Sequence, residues 1–160
     1  MDFPITVIGL GLGTLIILLI VFKISLSRMH RRMKILIGER IKEGEIIVAT
    51  PSACFFGVKS LGSKQIRGNG ALILTREELY FIRALPEKEF RIPLDSIKSV
   101  TMPRSFNGKS VFSPLLCVSY ENNGKLDSIA WSVKNPDSWK KSIDYLCVKV
   151  TSQACKEKKS

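Results

Sequence analysis

The sequence predicts a mainly β chain. An antiparallel sheet of about seven strands, curled or partly closed into an open barrel, is capped by a C-terminal α-helix and preceded by an N-terminal transmembrane helix. Three observations predict this. The stretch "FPITVIGLGLGTLIILLIVF", residues 3–22, runs for twenty residues without a charge. From Glu45 to Val133, short β-type runs alternate with turn residues. From Asn135 onwards, apolar residues return at helical spacing.

An apolar run of this length is what a helix needs to cross a hydrocarbon core of about 30 Å. A cleaved signal peptide would show a basic leader, a shorter apolar core and a small-residue cleavage site, and neither Met1-Asp2 nor "VFKISLS" fits. Lys23, Arg28, Arg31, Arg32 and Lys34 follow the run and no Lys or Arg precedes it. The chain is therefore expected at the cell membrane, single-pass, with its C-terminal domain cytoplasmic. Cys54, Cys117, Cys147 and Cys155 have neither CxxC nor His-Cys spacing and read as free thiols of a reducing compartment. Within the run, "GLGLG" lacks the strand-to-helix setting of a dinucleotide loop, and Gly9 and Gly13 form a small-xxx-small pair of the kind that lets membrane helices approach.

After the membrane helix, expected over residues 1–24, residues 25–43 form a basic stalk with Leu26, Met29, Met33, Ile37 and Ile41 on one helical stripe. It either continues the membrane helix or breaks near Ser25–Ser27, and ends near Gly44. Residues 44–150 form the domain. Its strand candidates are 45–56, 70–75, 78–84, 88–94, 97–102, 115–122 and 126–133, with turns at "TREE", Pro86, "LDS", "FNGKS" and "NNGK". Asn135 suits an N-cap, Pro136 the first helical position and Asp137 the positive end of the helix dipole. Trp139, Ile143, Leu146 and Val150 then share a face that would plug the open end of the sheet, and residues 151–160 are a basic tail.

"EGEIIVATPSACFF", "GNGALILTREELYFI" and "FRIPLDSIKSV" resemble the GRAM and bacterial pleckstrin-homology-like families. The matching positions are Gly44, Glu45, Gly70, Leu72, Leu74, Thr75, Leu79, Phe81, Ile92, Pro93, Leu94, Ile97, Ser99 and Val100, and the resemblance covers about residues 43–148. By alternation these apolar positions are core, so the motif identifies a scaffold rather than a site. The resemblance implies a non-catalytic binding module in which the loop between the first two strands takes phosphorylated headgroups. Lys59, Lys64 and Arg67 occupy that loop here.

Little in the chain suits catalysis. His30 lies among positive charges, and Glu77, Glu78, Glu87 and Glu89 fall in turns or on opposite strand faces, so no cofactor and no metal is expected. The informative polar features are two acid-free stretches. One runs between Glu45 and Glu77 and carries Lys59, Lys64, Arg67 and Arg76, and the other runs from Ser96 to Tyr120 and carries Lys98, Arg104 and Lys109. Phe106 and Phe112 beside Arg104 and Lys109 suit insertion at a membrane interface. Solvated charge on exposed loops, with both phenylalanines in the core, explains the same residues. The expected partners are the membrane, anionic lipid headgroups reached through Lys59, Lys64, Arg67, Arg104 and Lys109, and the juxtamembrane cluster Arg28, Arg31, Arg32 and Lys34. A protein-interaction or assembly module of a membrane complex is the alternative. Nucleic acid is not expected, because only charge speaks for it.

Overall fold

The computed structural model describes residues 3–41 and 45–157. A single helix, α1 (Phe3–Arg40), runs without a break through Ser25–Ser27. It is long and apolar enough to cross a membrane, and Leu15 to Phe22 together with Ile24 are exposed. The helix end expected at Gly44 and the boundary between residues 43 and 44 lie outside the described residues, as does the side chain of His30.

Seven strands follow in one antiparallel sheet: β1 (Ile46–Val58), β2 (Gly68–Thr75), β3 (Glu78–Ala84), β4 (Glu87–Pro93), β5 (Ile97–Thr101), β8 (Leu116–Asn122) and β9 (Lys125–Ser132). A separate two-stranded hairpin, β6 (Ser105–Phe106) and β7 (Lys109–Ser110), occupies the "FNGKS" segment that the sequence marks only as a turn. The order in the large sheet is β4-β3-β2-β1-β9-β8-β5. β1 joins the two halves, pairing with β2 from Ile46 to Phe55 and with β9 from Cys54 to Val58. Register shifts at Thr50/Ala53 and Phe55/Gly57 interrupt those ladders. Such bulges bend a strand and increase its twist, so β1 turns the sheet around its own inner face. This is the curled antiparallel sheet of seven strands expected from the sequence, with the strands within about two residues of their predicted limits. The free edges are β4 and β5, and β4 carries Glu87, Lys88, Glu89 and Arg91 and ends on Pro93.

The inner face holds the aromatic core. Phe55 stacks on Phe81 and Phe90 with centroids 5.9 and 5.1 Å away, and Phe81 tilts against Trp131 at 5.8 Å. Helix α2 (Pro136–Glu157) closes this core with Trp139, Ile143 and Leu146 buried and Val150 packed beside them. The carbonyl of Asn135 accepts from Ser138 N and Trp139 N to start the helix. The helix continues to Glu157, well into the stretch read as a tail, and residues 158–160 lie outside the described residues. The corner between β4 and β5 is a single 3-10 turn, Leu94–Ser96, held by Leu94 N donating to Glu77 O at 2.8 Å.

The outer face is covered as well. Alternation along β2 and β3 turns Ala71, Ile73, Tyr80 and Ile82 away from the core, and the end of α1 lays Met33, Ile37 and Ile41 on them. The stripe read as a stalk is thus packing for the domain. A buried aliphatic side chain contributes about 1.5–3 kcal/mol, so three of them approach the net stability of a small domain. Burial beneath the helix pushes the Tyr80 hydroxyl up to about 12, and the Arg91 guanidinium lies 4.3 Å from the ring centre. A second outer cluster, Phe56, Leu115, Cys117 and Ala130, is covered by Phe106 and Val111 of the β6–β7 segment.

Two substitutions test this packing. Ile37→Ala should cost on the order of 2 kcal/mol and lower the Tm of the domain by several degrees; an unchanged Tm would show that α1 does not rest on the hairpin. Gly70→Ala should prevent folding, because the new Cβ would collide with the Ile82 carbonyl and come within 2.7 Å of Phe81 Cζ. A native circular dichroism spectrum for that variant would contradict the close β2–β3 approach.

Candidate functional site

The loop between β1 and β2 starts with a 3-10 turn, Lys59–Leu61, and Gly62 at φ 70° returns its N–H to Lys59 O. A buried carboxylate anchors this turn from below. Asp127 on β9 accepts Ser60 N at 3.0 Å and Ser60 Oγ at 2.5 Å, as well as Ser128 N at 2.8 Å. Gln65 folds the rest of the loop back. Its Oε1 accepts Val58 N at 2.9 Å, and its Nε2 donates to Val58 O and Gly62 O, both at 2.6 Å.

The second acid-free stretch is stitched to the first. Asn107, at φ 49°, donates through Nδ2 to Val58 O at 3.0 Å and Gly62 O at 3.2 Å. Lys109 Nζ donates to Gln65 O at 2.9 Å. The two stretches are therefore hydrogen-bonded into one seam. Arg67 joins it over Phe56, its guanidinium carbon 3.9 Å from the ring centre.

The two thiols near the seam report its charge. Burial pushes the Cys54 thiol up, with the Arg67 charge working against it. Burial likewise raises Cys117, opposed by a hydrogen bond with Thr101 and by the Lys59 charge. Lys64 and Arg104 are exposed, and their side chains make no hydrogen bond or ion pair among the described residues. Lys109 is half-buried and already holds a carbonyl, so its first role is to tie the loops together. Arg28, Arg31, Arg32 and Lys34 are exposed along α1 and take no part in the seam. The two phenylalanines divide: Phe106 packs on the Phe56 cluster, whereas Phe112 is fully exposed.

Beside the seam is a hollow of about 210 Å³ lined by Phe55, Leu61, Ile66, Arg83, Lys88 and Phe90 with Gln65 and Pro86. Arg83 Nε donates to Pro86 O at 2.9 Å, and Lys88 Nζ is 5.1 Å from the Phe90 ring centre. Leu61, Ile66 and Leu85 around it are 56, 73 and 76% exposed, which sets them apart from the buried aliphatics of the sheet. The hollow is smaller than a typical small-molecule pocket, and it has an apolar floor and cationic walls. Sequence reading missed Arg83 and Lys88, which sit in the charge-balanced "RALPEKE" and are brought to the loop by strand pairing. It also missed Asp127, 67 residues from Ser60. Far from the seam, a groove of about 390 Å³ lies between α2 and the start of β1, lined by Ile47, Arg76, Tyr145, Leu146, Lys149 and Val150 with Ser142. Among the described residues no three His, Cys, Asp or Glu side chains are grouped as metal ligands.

No protein-family model matches the chain, and no curated protein matches it. Among solved structures, the C-terminal domain of an unknown protein from Leishmania infantum is similar at 16% identity and a TM-score of 0.49, over 66% of this chain and 86% of that one. The N-terminal PH domain of Vps36 is similar at 16% identity and a TM-score of 0.48, over 70% of this chain and 86% of that one.

Asp127→Ala should free the 3-10 turn at a cost of about 1–3 kcal/mol, since it leaves Ser60 N and Ser128 N without their acceptor. Hydrogen exchange would then accelerate at Ser60 while β2 and β3 stay protected. Equal protection at Ser60 in both proteins would mean that the loop is held by Gln65 and Asn107 alone.

Proposed function

We propose that this chain is a single-pass membrane protein whose cytoplasmic, GRAM-like module binds the membrane surface and its anionic headgroups, without catalysis, through the seam between the two acid-free loops. The observation that supports this reading is the joining of the two loops by Lys109 and Asn107; Lys59, Lys64, Arg67 and Arg104 belong to these loops and are exposed. Asp127, the carboxylate beneath it, is occupied by Ser60 and Ser128. Phosphate oxygens suit such a surface, because Lys supplies a mobile point charge and Arg a planar fork of donors. The membrane helix already retains the chain. The seam therefore governs which lipids gather beneath the domain and how it lies on them.

Near an anionic leaflet each Lys or Arg contributes about 1 kcal/mol. A second reading, a partner-protein module, is favoured by the groove beside α2, where Arg76 and Lys149 flank apolar Ile47, Leu146 and Val150.

The test uses residues 28–160, which keep Met33, Ile37 and Ile41 over the hairpin. This protein should sediment with vesicles containing anionic lipid and release as salt is raised. Combined Lys59→Glu, Lys64→Glu and Arg67→Glu should weaken it at least a hundredfold, with Tm measured to exclude unfolding. Unchanged sedimentation of a folded triple variant would remove the seam as the site.

A further inference from the structure

We propose that α1 is a ruler that holds the end of the sheet bearing Leu61, Ile66 and Leu85 against the same bilayer that α1 crosses. This rests on the reading of α1 as a membrane helix and adds the surface that meets the bilayer and the distance that brings it there. The contact is apolar insertion flanked by cations, and it is separate from headgroup binding at the seam.

Direction comes from where α1 ends. Ile41 shares a hollow with Thr75, Arg76, Glu77 and Glu78, so the helix terminates beside the β2–β3 turn. Met33 and Ile37 belong to the same buried cluster as Ala71, Ile73, Tyr80 and Ile82, so the preceding turns lie back along the hairpin. The opposite end of the hairpin, with the β1–β2 loop and the β3–β4 turn, therefore points along α1 towards its apolar run.

Length agrees with direction. From Ile41 back to Phe22, where the uncharged run ends, a helix spans about 28 Å at 1.5 Å per residue. From Thr75 back to Gly68, β2 spans about 23 Å at 3.3 Å per residue. The shortfall of about 5 Å is covered by the loops that project beyond Gly68 and Ala84. It matches a headgroup layer of roughly 5–7 Å on each side of the hydrocarbon.

The composition of that end fits the place. Leu61, Ile66 and Leu85 are exposed aliphatics on two adjacent loops, with Arg83 and Lys88 behind them, Lys64 beside them and Glu87 as the acid of the β3–β4 turn. On a surface facing water, three such side chains form an unsupported apolar patch. Against a bilayer they enter the interface while the cations remain at phosphate level.

The experiment uses the full chain in vesicles of neutral phosphatidylcholine. An environment-sensitive fluorophore is encoded at position 66 or 85, and separately at position 142 in the distant groove. Nitroxide-labelled lipid should quench positions 66 and 85 severalfold more than 142. Seven helical residues inserted after Ser27 add about 10.5 Å while keeping the helical phase, and should abolish the quenching at 66 with Tm unchanged. Equal quenching at all positions, or quenching at 66 that survives the insertion, overturns the ruler. Because the lipid is neutral, loss of headgroup selectivity in the seam variants would leave this result standing. Protease digestion of both ends of α1 from one side of the vesicle would remove both readings.

Discussion

The structure depends on the contact between the last turns of α1 and the outer face of the β2–β3 hairpin. Ile73, Tyr80 and Ile82 are too apolar to be left in water, and Met33, Ile37 and Ile41 provide their cover. Because an uninterrupted helix both covers the hairpin and carries the apolar run, the domain is joined to that run by a rigid shaft rather than a tether. A flexible linker would let the domain sample all orientations. Here, core packing decides which surface faces along the helix.

How much of this was legible in the sequence follows from the range of each interaction. Leu72, Leu74, Leu79 and Phe81 alternate, and period two places them on one face whatever the rest of the chain does. Trp139, Ile143 and Leu146 reveal a capping helix by the same kind of local rule. The stripe of Met33, Ile37 and Ile41 was equally visible, but periodicity says only that a face is apolar and not what it meets. The continuous helix through Ser25–Ser27 was one of two open readings, because Ser in a helix interior is only mildly unfavourable.

The candidate site was legible as charge and hidden as connectivity. Lys59, Lys64, Arg67, Arg104 and Lys109 stand out because acids are missing around them, which needs no structure to see. That the two stretches are tied together depends on Asn107 and Lys109, and the turn of the first is held by Asp127, with partners up to 67 residues away that leave no local pattern. Lys109 illustrates the limit: its charge marked it for a ligand, while its geometry commits it to the Gln65 carbonyl. Arg83 and Lys88 were masked for the opposite reason, being diluted by neighbouring glutamates and gathered at the hollow only by strand pairing.

Under the proposed membrane anchorage, the charged edge strand acquires its meaning in two dimensions. Anchoring in a membrane concentrates copies of a domain into a thin layer and orients them alike, so an unpaired strand would meet its counterpart far more often than in free solution. β4 is such a strand, at the free edge of the sheet. Glu87, Lys88, Glu89 and Arg91 along it, with Pro93 at its end, make it a poor template for strand addition. In that proposed setting, crowded copies would share a leaflet as neighbours without fusing their sheets.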